Sequence, residues 1–132
     1  MFKMVKWKKK ALELFPNLKI EIKEGIYSLF FELLPSVREA HKQNNKDELN
    51  KIYGFAEWCF NQKSHYYSNA AAVAFYEHLV DRDDTIKHLP YWVKPNDFKD
   101  LLDLFKWRLE KSKKKYIELV NNYNKVNKTK FH

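Results

Sequence analysis

Residues 70–80 read Ala70-Ala71-Ala72-Val73-Ala74-Phe75-Tyr76-Glu77-His78-Leu79-Val80, and this stretch decides the fold class. Ala72, Phe75, Tyr76 and Leu79 recur at helical spacing and share one face. Ala70, Ala71, Val73 and Ala74 make the other side apolar too, and a helix apolar all round is buried. The spacing therefore predicts a central helix here, with small residues that let neighbouring helices approach closely.

The same period extends outward in both directions. Upstream, Leu49, Ile52, Tyr53, Ala56, Cys59 and Phe60 form one stripe, preceded by a capping signal at Asn45-Lys46-Asp47-Glu48. Earlier still, Ile22, Ile26, Leu29, Phe30, Leu33, Leu34 and Val37 share a face. Pro35 interrupts that pattern, and Ser36-Val37-Arg38-Glu39 has the form of a capping box, so the helix is expected to kink or restart there. The start of the chain places Met4, Trp7, Ala11 and Leu14 on a stripe that ends at Pro16.

Downstream, residues 81–94 read as the longest loop. Pro95 suits the first position of a last helix, where its missing N–H matters least. Phe98, Leu101, Leu102, Phe105 and Leu109 give that helix its stripe, and Tyr116, Leu119 or Val120, and Tyr123 continue it. One helix of nearly thirty residues is expected, with a frayed tail over 124–132. Two glycines in 132 residues agree with this reading. The expected fold is an all-α, single-domain bundle of about five helices with a long last helix.

The formal charge of +8 is unevenly placed. Residues 1–10 hold five lysines and no acid, and residues 111–132 hold seven lysines and one glutamate. The hundred residues between carry three more acids than bases. Twenty-two of the 25 basic residues are lysine, whose point charge grips phosphate and guanine less specifically than the planar fork of arginine. A nucleic-acid-binding module would use Lys3, Lys6, Lys8, Lys9 and Lys10 with Lys111, Lys113, Lys114 and Lys115, and is the alternative to a protein-binding role. The basic start, with Phe2 and Trp7 among lysines, also suits an anionic membrane surface, although its apolar positions are more simply used in packing.

No targeting segment is read at the start, because the apolar stretch after the lysines, residues 11–15, is interrupted by Glu13 and stopped by Pro16. No run approaches the roughly 20 apolar residues that span a bilayer. The single Cys59 excludes a disulfide framework and agrees with a reducing cytoplasm. Aromatics at 17% exclude a disordered chain, which lacks the apolar surface to offset ordering entropy.

His41, His65, His78, His88 and His132 include no pair at the i, i+4 spacing of helical metal ligands. Asp81-Arg82-Asp83-Asp84 has acids at alternate positions but lacks the glycine and distal glutamate of a calcium loop. Cys59 falls on an apolar stripe, where a thiol packs as a small hydrophobe. Glycine scarcity excludes phosphate-cradling loops. Glu57 and Glu77 lie in otherwise apolar stretches and are expected to be paired with a cation rather than catalytic. The reading is of no enzyme, no cofactor and no metal.

Binding features are clearer. His88-Leu89-Pro90-Tyr91-Trp92-Val93 is unusually apolar for a loop, either folded back over the bundle or presenting rigid aromatics to a partner. Asp97, Asp100 and Asp103, with Asp81, Asp83 and Asp84, suggest an acidic region around it. Phe55, Trp58, Tyr66 and Tyr67 lie off the main stripe of their helix, to pack in a second layer or to extend an exposed aromatic surface. The residues expected to touch a partner are Asp81, Asp83, Asp84, Tyr91, Trp92 and Lys94.

The run from Asn69 to Leu79, then Leu89-Pro90 and Pro95, then Leu101-Leu102, resembles small all-helical bacterial immunity proteins of contact-dependent or polymorphic toxin systems. The resemblance is one of pattern over residues 45–110, and it assigns no functional residue by position. It implies a cytoplasmic protein that neutralises a cognate toxin, an RNase being one class, by covering its active site. The basic ends depart from the commoner acidic immunity protein that blocks a basic nuclease. They direct attention either to a toxin surface that is itself acidic or to contact through the acidic middle of this chain.

Overall fold

A computed structural model describes residues 6–17 and 25–132, and every regular element in them is helical. Met4 and Ile22 of the predicted stripes, together with Phe2 and Lys3, lie outside the described residues. The chain divides into two compact units, Met1–Phe75 and Tyr76–His132.

In the first unit, α1 (Lys6–Leu14), α2 (Ile26–Lys42), α3 (Lys46–Phe60) and α4 (His65–Ala71) follow one another, and α3 packs on the other three. The predicted faces are the buried ones: Ile26, Leu29, Phe30, Leu33, Leu34 and Val37 on α2, and Leu49, Ile52, Tyr53, Ala56 and Cys59 on α3. Phe30 sits at the centre, with ring centroids 5.3 Å from Phe55 and 5.8 Å from Phe75. Such aromatic pairs contribute about 0.5–1.5 kcal/mol beyond their area burial. Phe55 therefore belongs to an inner second layer, while Tyr66 is exposed. Trp7 and Ala11 bury the apolar stripe of α1.

Asn45 caps α3 as the spacing predicts, its side chain accepting from the Glu48 N–H at 3.2 Å. Helix α2, by contrast, runs unbroken through Pro35. Pro35 lies on the exposed side, so the hydrogen bond it cannot donate is one on the solvent face of a helix anchored by the opposite stripe. With no restart there is no cap at Ser36, whose hydroxyl instead donates to the Glu32 carbonyl at 3.4 Å.

The central helix also differs from a regular α-helix. A π-helical turn, Ala72–Tyr76, follows α4, and the boundary between the units falls within it. Ala74, Phe75, Tyr76 and Glu77 are four consecutive buried residues, an arc wider than one α-helical stripe and one that a widened turn accommodates.

The second unit holds α5 (Glu77–Leu79), α6 (Asp83–Ile86), α7 (Leu89–Trp92), α8 (Pro95–Arg108) and α9 (Lys113–Asn127). The stretch expected to be a long loop thus contains two short helices. Thr85 secures it, its buried hydroxyl donating to the carbonyls of Leu79 and Arg82. Leu89, Pro90 and Val93 are buried, which is the folded-back arrangement.

The last helix is two helices. An unbroken helix would carry residue 123 about 37 Å from residue 98, at 1.5 Å per residue. Instead the rings of Phe98 and Tyr123 stack at 3.7 Å, inclined by 5°. The chain reverses through a tight turn in which Ser112 N–H donates to Leu109 O at 2.8 Å. Reversal lets the stripes of α8 and α9 bury one another, which a straight helix with this sequence could not do.

The tail is likewise tied down where fraying is expected. Asn124 Nδ2 donates to Phe131 O at 2.9 Å, and its Oδ1 accepts from Phe131 N and Thr129 Oγ1, each at 2.9 Å. Phe131 packs on Phe98 and Tyr123. No helix among the described residues is long and apolar enough to cross a membrane.

Candidate partner-binding surface

The turn between α8 and α9 presents a surface of its own. Phe98, Leu101, Phe105 and Leu109 bury one face of α8, which leaves Trp107 on the far side and 58% exposed. Leu119, Val120 and Tyr123 do the same for α9, leaving Ile117 57% exposed. A groove of about 670 Å³ lies between the two helix ends, floored by Trp107, Leu109, Tyr116 and Ile117. Lys106 and Lys113 edge it, as do Asp103 and Glu110. His132 lines one side, with Tyr116 OH donating to its carbonyl at 3.1 Å.

None of these groove residues belongs to the set expected to touch a partner. Two signals were present: a tryptophan off the apolar stripe between Lys106 and Arg108, and an isoleucine beside a stripe already complete without it.

Arg108 fixes α8 to the start of the unit. Its Nε and Nη2 donate to the two oxygens of Asp81, each at 2.8 Å, and its Nη1 lies 3.6 Å from Glu77. His78 joins them, 3.1 Å from Asp81 and 3.8 Å from Glu77. Glu77 is thus ion-paired, as expected for a glutamate in an apolar stretch. The hydrogen bonds from Arg108 hold the Asp81 carboxyl below its ordinary pKa, with a smaller contribution from His78.

The sign of the resulting pH dependence follows. A carboxylate with a depressed folded pKa stabilises the fold above its unfolded value of about 3.9, and that stability is lost as pH falls through the folded value. Arg108→Ala is expected to lower stability at neutral pH by about 1 kcal/mol, at the low end because the pair is partly exposed to water. It is also expected to flatten the loss of stability below pH about 4. Urea denaturation across pH checks both, and an unaltered pH profile in the variant counts against the clamp.

The residues expected to form one partner surface are divided along α9. Asp83 lies at its start, 3.6 Å from Lys115. Asn127, at its end, donates to Pro90 O at 2.8 Å, next to Tyr91. Those positions are about 18 Å apart along the helix axis. Asp81 is held by Arg108, and Asp84 by both Nε and Nη2 of Arg82 at 3.0 Å. Tyr91 is 69% exposed and Lys94 is exposed, whereas Trp92 is half-buried.

The lysines of the alternative set fall in different units. On α1, Lys6 and Lys10 lie over the Trp58 ring at 5.6 and 5.9 Å, Lys8 lies over Trp7, and Lys9 is exposed. Lys6 also donates to Gln62 at 2.9 Å. Lys113 and Lys114 are exposed at the start of α9, next to the Lys115 that pairs with Asp83.

Cys59 is fully buried in α3, and burial pushes its thiol up to about 12. The folded chain is expected to resist iodoacetamide at pH about 8, where an exposed thiol near its ordinary pKa reacts. The urea-unfolded chain should alkylate readily. Equal rates in the two states would contradict the packing of α3. Among the described residues no three His, Cys, Asp or Glu side chains are grouped to hold a metal ion.

The family model for a domain of unknown function, DUF7674, matches residues 8–122, and the chain belongs to that family. No curated protein and no solved structure matches it.

Proposed function

We propose that this member of the DUF7674 family is a protein-binding domain acting as an immunity protein, which neutralises a cognate bacterial toxin by covering its active site. The observation that carries the reading is the exposed Trp107–Ile117 groove at the tip of a closed hairpin. Large aromatic and aliphatic groups on a rigid element give contact area at low entropic cost, which is how binding hot spots are built. The rigidity comes from below: the Phe98–Tyr123 stack joins the helices, and the Arg108 fork ties α8 to Asp81. A ring of charge around an apolar centre also matches the anatomy of a specific interface.

The test is co-expression with the product of the adjacent gene, which this reading expects to carry a toxin domain. Restored growth and a stable one-to-one complex support the reading. Absence of a complex at micromolar concentration rejects it.

A further inference from the structure

We infer that the groove at the α8–α9 tip accepts an acidic amphipathic helix of the partner, with apolar anchors on Trp107 and Ile117 and carboxylates on the surrounding lysines. The inference rests on the protein-binding reading and specifies the chemistry of the surface that is bound.

The charge around the tip is the first support. Six basic residues fall between positions 106 and 115, and two are already used within the unit, Arg108 by Asp81 and Glu77 and Lys115 by Asp83. Lys106, Lys111, Lys113 and Lys114 remain exposed, with no ion pair among the described residues. The groove lining itself is balanced, Lys106 and Lys113 against Asp103 and Glu110, and the exposed Lys111 and Lys114 at the turn and the start of α9 add the positive charge that a partner's carboxylates can meet.

Register is the second support. Asp103, Lys106 and Trp107 follow i, i+3, i+4 spacing along α8, with Glu110 in the turn beyond it, and Lys113, Tyr116 and Ile117 follow i, i+3, i+4 spacing along α9. Each helix therefore offers one continuous wall. A groove between two such walls is the form that receives the apolar stripe of a third helix. Chain geometry alone would admit a nucleic acid strand, but the chemistry favours protein. Asp103 and Glu110 stand in the lining where a strand would bring regularly spaced phosphates, and their repulsion opposes whatever stacking Trp107 and Tyr116 offer a base. An amphipathic helix can place its acids opposite lysines only and keep the positions facing Asp103 and Glu110 neutral.

The experiment uses the full chain and three fluorescent helical peptides: an amphipathic one with a leucine stripe and glutamate elsewhere, its glutamine counterpart, and a scrambled glutamate peptide of identical composition. Single-stranded oligouridylate is the fourth probe. The amphipathic glutamate peptide is expected to bind at least about tenfold more tightly than either control, and to weaken as salt rises. Trp107→Ala, and separately the double variant K106E/K113E, should each weaken it by about tenfold or more, while K6E/K10E on α1 should leave it unchanged.

Equal binding of the glutamine peptide overturns the acidic assignment, equal binding of the scrambled peptide overturns the helical one, and no peptide binding overturns both. Tighter binding of oligouridylate, with displacement of the peptide, shows the tip to be a nucleic-acid surface. The immunity reading fails separately, if peptide binding holds while the co-expressed toxin forms no complex.

Discussion

Phe98→Ala is expected to destabilise the C-terminal unit by about 3–5 kcal/mol, a large share of the 5–15 kcal/mol by which domains are stable. Phe98 is fully buried and is the point at which the hairpin closes. It stacks on Tyr123 at 3.7 Å and packs against Phe105 at 5.8 Å and Phe131 at 5.6 Å. Truncation removes a shared contact for α8, α9 and the tail together, leaving a cavity that no single side chain can fill. Phe98→Leu keeps much of the volume and should cost under about 1.5 kcal/mol. Urea denaturation with amide exchange on α9 checks the pair. A loss under about 1 kcal/mol for the alanine variant would mean that the α8 and α9 stripes do not depend on one another.

Trp107→Ala should have the opposite profile: little change in stability and a large loss of affinity. At 58% exposure the ring contributes little to the folded state, and surface substitutions of this kind usually fall within about 0.5 kcal/mol. If Trp107 is the anchor of the interface, its removal should weaken the toxin complex by about 2–4 kcal/mol, or roughly 30- to 1000-fold. Calorimetric titration and thermal melting on the same preparations separate the two effects. Unchanged affinity would remove the groove from the account, and a matching loss of melting temperature would mark Trp107 as structural.

Local physics made much of the architecture legible in the sequence. Helical spacing assigned the faces of α2 and α3 because each buries a single stripe. Asn45 and Pro95 marked helix starts because caps act over three or four residues. What escaped was set by distance. The reversal after Leu109 carries no glycine or proline, only Glu110-Lys111-Ser112, and it is fixed by the meeting of Phe98 with Tyr123. The π turn at Ala72–Tyr76 follows from burial on more than one side, which a stripe of fixed period does not describe.

The candidate site followed the same rule. Tyr91, Trp92 and the acids near them form an unusual cluster in sequence, yet Asp81, Asp83 and Asp84 are each paired within the unit and the cluster is spread along α9. Arg108 meets Asp81 across 27 positions, a pairing that no local pattern reveals. Trp107 and Ile117 lie off completed stripes, and they become one surface only once α8 and α9 fold back on each other.

An amide-exchange footprint of the full chain, free and bound to the co-expressed toxin domain, tests the central claim most directly. Protection on binding is predicted to centre on the end of α8 and the start of α9, around Trp107 and Ile117. Protection centred on Tyr91 or on the lysines of α1, with the α8–α9 tip unchanged, would contradict it.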